Sequence, residues 1–445
     1  MNGPVLPGRL RSTLLILLVG PPVVAGLVLA GLAVPSRPLL VVGAALVVLG
    51  VGVSLVEPAA LPVIAMPALL VVARVDAGGV DLSASDLVLA VAFWPAVLLA
   101  PRPYPPPLRT LLWLSAAYQT ATLFTVVANP SVANTVEWFH AWLLVAGALV
   151  VGWAVGRHGC ARLGLGLLLG TAALLAVGTV VQGAGQLAAG DLGPVYPTWP
   201  YEMHKNFVGT VLAFAAVVAY ARPVWLGWSR RWTLAVFWLA LAGILLAQSR
   251  QALVGLGVAL LVVSLRRDLH RRRSKLVLFL VVPVVLFVAS MVRDDVESGN
   301  RHNSVFQRIS YLADAWNVWL ADPLFGRGLR WWNGGAGVQP PNAELEVLTS
   351  AGVVGLAGFL VLVVGVLVVL WRLDPAFGTL AFSVVLVRIV QAQFDLFWSA
   401  VQVSVPFAVA GVCLGAQAWH AEREAGERQA AQRQAAERAT TAVHP

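Results

Sequence analysis

Four short segments carry residue types able to bind an anion or move a proton. Tyr201-Glu202-Met203-His204-Lys205-Asn206 opens an apolar run. His, Lys and Asn at a helix N-terminus offer donors and the helix dipole to an anion. The plainer alternative is an interfacial anchor of aromatic and basic residues. Gln248-Ser249-Arg250-Gln251 is a very short turn between two apolar runs. Arg250 is thereby held near a membrane surface, either as a snorkelling side chain or as a guanidinium fork matched to phosphate oxygens. The third segment holds Arg308, then Pro323, Gly326, Arg327, Gly328, Arg330, Trp331 and Trp332. Arginines beside paired tryptophans suit a phosphosugar, with charge for phosphate and flat rings for sugar faces; a belt of Trp and Arg at the bilayer interface is the alternative. The fourth, Pro341-Asn342-Ala343-Glu344-Leu345-Glu346, leads into a run where Gly352, Gly355 and Gly358 recur every three residues. Small residues on one stripe allow close helix packing.

The elements that must position these segments are membrane helices. Of 445 residues, 59% are hydrophobic and only 11% charged, with a mean hydropathy of +0.81. That excludes a set of soluble domains, and the absence of alternating ten-residue segments argues against a β-barrel. The expected fold is all-α: a polytopic bundle of about 12–14 spans. Candidate spans fall near 12–34, 39–55, 59–74, 85–101, 110–128, 138–156, 164–184, 205–221, 232–248, 250–265, 276–292, 345–371, 376–392 and 399–419. The first run is long for a signal peptide and is expected to be retained. Cys160 and Cys413 lie far apart in apolar surroundings and imply no disulfide framework.

With the N-terminus in the cytoplasm and alternating spans, 20 of the 30 Lys and Arg fall inside. This bias supports the frame and two cytoplasmic termini. The net charge of +9 is then a topology signal, and no nucleic acid is expected as partner. The outward basic residues are Arg37, Arg74, Lys205, Arg250, Arg293, Arg301, Arg308, Arg327, Arg330 and Arg388; seven of these ten lie between 205 and 330, so that region is the one expected to need positive charge. The chain divides into a membrane domain, 1–420, with an outer loop at 293–341, and a charged tail, 421–445, read as a solvated helix or disordered segment. Within the loop, Asn303-Ser304 supplies an N-cap. Val305, Ile309, Leu312, Trp316 and Trp319 then follow helical spacing, an amphipathic helix for the outer interface. Few ionisable residues fall mid-span, which disfavours a proton or ion pathway. Gln119 and Gln402 are expected to bond helix to helix.

These segments, in this order and on this topology, resemble the O-antigen ligase and O-antigen polymerase superfamily. The likeness runs over roughly 200–400, through HKNFVGT, SRQALVGLG, Arg308 and PLFGRG, Pro341-Asn342 nine residues before Gly352-Val353-Val354-Gly355, and a late QFDLFW. It implies a GT-C type integral-membrane glycosyltransferase of the bacterial cytoplasmic (inner) membrane, acting in polysaccharide biosynthesis at the cell envelope. Its implied partners are a polyprenyl-diphosphate-linked glycan such as one on undecaprenyl diphosphate, a glycan or lipid acceptor, and membrane lipids. No cofactor and no metal is expected. Arginines matching Arg250 and Arg308 are implied to hold the diphosphate, with Lys205 and Arg327 in support. Trp331, Trp332, Asn342 and Asn206 are the glycan-binding candidates. The family's His, assigned to acceptor activation, aligns with Pro341, which has neither donor nor base. Either another residue does that work, with Glu344, Glu346 and His204 as the catalytic candidates, or the chain lacks ligase-type chemistry. Two alternatives stay open: a lipid-glycan transporter or flippase, and a non-catalytic relative that binds lipid-linked glycans.

Overall fold

The computed structural model describes residues 38–77, 80–266, 279, 290, 304–334, 339–398 and 400–443. The expected span 12–34 and nearly all of 276–292 lie outside these residues, as does the whole 293–303 stretch of the outer loop. The chain divides into two units, Met1–Ala60 and Leu61–Pro445. The first contributes α1 (Pro38–Val56), an apolar helix.

Helix α2 (Ala60–Ala68) leads into the second unit. It is short, so the expected span 59–74 is corrected: the run gives nine helical residues and then an antiparallel hairpin of β1 (Arg74–Ala77) and β2 (Val80–Ser83). Pro67 inside the helix and the charged Arg74 and Asp76 explain why it stops early. The remaining helices follow the expected runs closely. They are α3 (Ala84–Leu99), α4 (Pro106–Ala128), α5 (Val132–Arg157), α6 (Ala161–Ala188), α7 (Lys205–Ala221), α8 (Arg230–Ala247), α9 (Arg250–Leu265), α10 (Ser304–Ala321), α11 (Ala343–Arg372), α12 (Pro375–Ala392) and α13 (Ala400–Val443). Among the described residues, seven helices are long and apolar enough to cross a bilayer. The chain is an all-α, multi-pass membrane protein, with one small hairpin among the described residues.

Local chemistry fixes the helix starts. Ser83 and Asp86 form a reciprocal capping box on α3, Ser131 caps α5, and Asn342 caps α11 through Leu345 N–H at 3.0 Å. Of the expected apolar stripe on α10, Leu312 and Trp316 are exposed, as is Leu320 one turn on, as for a helix lying against lipid. The tail continues α13 as a solvated helix, with Arg423–Glu427 and Arg428–Glu424 pairs at 3.1 Å.

Two packing features fix how the helices hold one another. Helices α5 and α13 meet backbone to backbone. A Cβ at Gly152 or Gly156 would fall on the carbonyl oxygen of Ala408 or Val412, and one at Gly411 or Gly415 on that of Leu149 or Trp153. The second feature is a break in α11. Gly352 was expected to join a small-residue packing stripe; instead it takes φ 65° and ψ −166° and interrupts the helix. The break unpairs neighbouring peptide groups, and the loop 323–328 satisfies them. Arg327 N–H donates to Thr349 O at 2.9 Å, Gly328 N–H to Ser350 O at 3.1 Å, and Val353 N–H to Pro323 O at 2.9 Å. Non-helical backbone at membrane depth is stable when protein groups pair it in this way.

Candidate functional site

The N-termini of α3, α5, α7, α9 and α11 gather at one end of the bundle. Contacts across that end join segments distant in sequence. Asn129, just past α4, donates to Gly326 O at 3.1 Å. Gln251 on α9 donates to the Asp395 carboxylate at 3.0 Å. Ser249 is fully buried against Gly209 of α7, which brings the starts of α7 and α9 together.

Between these starts lies a polar cavity of about 590 Å³. Its wall includes Asp86, His140, His204, Asn206, Arg330 and Asp395, with Gln402 at its edge. A second, much smaller void of about 20 Å³ shares His140 and Arg330 and is walled by Glu137, Trp332, Glu346 and Trp398.

A chain of charged groups divides the two spaces. Arg330 Nη1 donates to Glu137 Oε1 at 2.6 Å, and its Nη2 to Trp398 O at 3.2 Å. The other Glu137 oxygen lies 3.3 Å from His140 Nδ1. His140 Nε2 lies 3.2 Å from Asp86 Oδ1. Asp86 Oδ2 is held by the Ser83 amide at 2.9 Å and its hydroxyl at 2.6 Å. Arg330 adopts φ 52°, a left-handed conformation that costs a non-glycine residue about 1–3 kcal/mol and recurs at functional sites. A π-helical turn, Leu143–Gly147, follows His140 within α5; such turns also concentrate at functional sites.

The structure separates the residues expected from sequence. His204 and Asn206 line the larger cavity. His204 also caps α7, its Nδ1 accepting from Asn206 N–H at 3.2 Å. Burial holds its pKa below the ordinary 6.5, with the Asp395 carboxylate opposing and Lys205 adding to the shift. Glu346 and Trp332 border the smaller void. Glu346 is fully buried and its carboxylate accepts from Phe397 N–H. Glu344 accepts from Gln393 at 2.7 Å. Trp331 meets Trp332 edge to face at 6.1 Å. Lys205, Arg250 and Arg327 are in the wall of neither cavity. The Lys205 ammonium lies 6.0 Å from the Tyr196 ring, and Arg250 is the first residue of α9. Arg308 sits in the first turns of α10; its side chain is outside the described groups.

Three members of this chain of charged groups carried no sequence assignment, Asp86, Glu137 and His140, whereas Arg330 was among the arginines read as suited to a phosphosugar. Glu137 and His140 are three apart in an otherwise apolar run, and Ser83-x-x-Asp86 is a capping-box pattern. Those were the available signals. Arg388 also differs from expectation. It is not an outward cation but fully buried in α12, donating to Gln402 at 2.7 Å and to the carbonyls of Leu396 and Phe397.

Fold and site thus define a multi-pass helical membrane protein with a polar, ion-paired cavity at one end of its bundle. Residues 235–360 match the family model described as O-antigen ligase, which supports the O-antigen ligase superfamily and, coarsely, a glycosyltransferase-like role in cell-surface polysaccharide assembly. No curated protein matches the chain. The matched stretch runs from α8 to the middle of α11, so it supplies Arg330 and Glu346 but not Asp86, Glu137, His140 or His204.

Proposed function

We propose that this chain transfers a glycan from a polyprenyl-diphosphate carrier to an acceptor hydroxyl at the outer face of the bacterial cytoplasmic membrane. The observation that carries this reading is the cavity of about 590 Å³, where the start of α7, the loop after α10 and the segment after α12 converge. A cavity of that size accommodates a sugar residue. It opens among helix N-termini, whose dipoles favour an anionic leaving group. The acceptor oxygen attacks the anomeric carbon, a new C–O bond forms, and the bond to the diphosphate breaks with its electron pair leaving on the diphosphate oxygen. Arg250 and Arg308, with Lys205 and Arg327, bind the diphosphate beside the cavity, outside its wall, and offset the charge that develops on it. Asn206, Trp331, Trp332 and Asn342 bind the glycan. The Asn342 side-chain oxygen is engaged as a helix cap, leaving its amide nitrogen for a sugar hydroxyl. Among Glu344, Glu346 and His204, the last is the group in the larger cavity's wall.

The orientation rests on charge. Arg157, Arg222, Arg266 and Arg372 lie at helix ends at the pole opposite the cavity, which supports a cytoplasmic position for that pole and the tail. Pro341 favours a second reading, a non-catalytic binder of lipid-linked glycans, because it stands where the family has His. The deciding experiment places the purified protein in vesicles with a polyprenyl-diphosphate oligosaccharide and a candidate acceptor. Release of polyprenyl diphosphate that is abolished in Arg250→Ala is the expected result. Donor binding without release by the intact chain would overturn transfer and leave the binder.

A further inference from the structure

The wall of the larger cavity holds a buried side chain with half of its amide unmet. Gln402, in the first turn of α13, is 5% exposed and lines that cavity. Its Oε1 accepts from Arg388 Nη1 at 2.7 Å. A guanidinium has donors only, so this contact fixes which branch of the amide is oxygen and makes Nε2 the other. Among the described residues, Nε2 has no hydrogen-bond partner. Buried polar groups are almost always paired, so N–H donors left over beside open space mark a place for a ligand oxygen.

Charge narrows the choice of ligand. The cations in the wall are committed: His140 lies between the Asp86 and Glu137 carboxylates at 3.2 and 3.3 Å, and Arg330 donates to Glu137 at 2.6 Å. Two further wall carboxylates, Asp395 and Glu202, are in no ion pair among the described residues. Asp395 is held instead by uncharged donors, Gln251 Nε2 at 3.0 Å and Leu396 N–H at 2.9 Å. An acidic ligand group brought into this space would meet like charge. A sugar hydroxyl would not, since it can accept from an amide and donate to a carboxylate. Tyr201 adds an apolar ring to the same wall. Its hydroxyl is used up, donating to Leu70 O at 2.8 Å and accepting from Val72 N–H at 3.0 Å. Aromatic walls with a few placed polar groups are the usual make-up of a small-ligand site.

We propose that Gln402 is a specificity residue of this site: its Nε2 donates to a hydroxyl or acetamido oxygen of an uncharged sugar on the polyprenyl-diphosphate carrier, while Asp395 and Glu202 turn acidic sugars away. This rests on the reading above that the chain handles a lipid-linked glycan. Arg388 is the positioning residue that orients the amide. The bond between helices expected of Gln402 is supplied by Oε1 alone, which leaves Nε2 to the ligand.

The test compares the binding of three lipids to the full chain in lipid nanodiscs: bare polyprenyl diphosphate, the same carrier with a neutral disaccharide, and a version with a hexuronic acid as its first sugar. The unaltered chain should bind the neutral glycolipid more tightly than the bare carrier, and more tightly than the acidic one by roughly tenfold or more. Gln402→Glu keeps Arg388 partnered but puts oxygen where the N–H donors were. It should weaken binding of the neutral glycolipid about tenfold, with the bare carrier's affinity and the thermal midpoint unchanged. Asp395→Asn should narrow the gap between neutral and acidic glycolipids. A second measurement needs no variant: a cryo-electron microscopy structure of the unaltered chain with the neutral glycolipid should place a sugar oxygen within hydrogen-bonding distance of Gln402 Nε2. Equal affinity of Gln402→Glu and the unaltered chain for the neutral glycolipid, equal binding of neutral and acidic glycolipids, or a sugar seated away from Gln402 overturns the assignment, while release of polyprenyl diphosphate judges the transfer reading separately. A chain that binds none of the three lipids overturns both.

Discussion

The two poles of the bundle use the same residue types to opposite ends. At the cavity pole, Arg330 and His140 sit in a line of buried ion pairs beside open space. At the far pole, Arg266 donates to the carbonyls of Trp371 and Leu373 at 2.6 and 2.9 Å and lies 4.7 Å from the Trp371 ring, while Arg157 pairs with Glu422. Those arginines terminate helices, as cations near C-terminal carbonyls do, and they border neither cavity. Residue type alone therefore does not separate anchoring from chemistry. What separates them is whether the side chain borders open polar space.

The sharpest way to break this contrast is Arg388→Leu. The guanidinium is fully buried and ties Gln402 and two carbonyls of the 394–398 segment to α12. Its loss should cost about 3–5 kcal/mol, read as a large drop in the thermal aggregation midpoint in detergent. Arg388→Lys should recover only part of this, because it keeps the charge but not the fork. Next comes Arg330→Met, expected to lower stability by about 3 kcal/mol, since it leaves the Glu137 carboxylate largely buried and uncompensated. Adding Glu137→Gln should return part of that loss in a double-mutant cycle. If the pair were ordinary surface decoration, neither change would register.

Gly352→Ala should follow at about 1–3 kcal/mol, because its Cβ would overlap the Leu324 carbonyl at a positive φ. Limited proteolysis should then cut within 323–328 faster than in the unaltered chain. Arg266→Gln, at the far pole, should cost about 1 kcal/mol or less and leave release of polyprenyl diphosphate unchanged. The smallest effect concerns acid. Burial lowers the His204 pKa below 6.5, so the unfolded chain binds the extra proton and the folded one resists it. That contribution to stability is present above pH 6.5 and is lost as pH falls through the folded-state value. His204→Phe should flatten the decline in thermal midpoint below pH 6.5.

Hydropathy and caps are local, and the features they determine were legible in the sequence. The spans at 205–221 and 250–265, the amphipathic helix through Trp316 and the helical tail all lie where the residues put them. Three things were not legible. Gly352 falls on a three-residue glycine spacing that also suits a packing stripe, and only the docked loop 323–328 makes it a break. Arg388 looked outward because charge near the end of a span usually is; its partners come from a segment that folds back over it. The line Asp86–His140–Glu137–Arg330 joins positions up to 244 residues apart, read as the difference of the two terminal numbers. Each member alone looks like an interfacial polar residue. Their meeting depends on how α3 and α5 pack, which no local pattern encodes.

Helices that meet through side chains can creep past one another, because rotamers absorb small shifts. The α5–α13 seam has no such slack: the carbonyls of Leu149, Trp153, Ala408 and Val412 lie where any side chain at the facing glycines would have to go. A slip of one residue would drive branched or aromatic groups into the opposing main chain. The depth of His140 is therefore indexed to α13, the helix that continues into the exposed tail. A pull or a torque on that tail would reach the cavity wall as rotation of the coupled pair, with the register between the two helices unchanged.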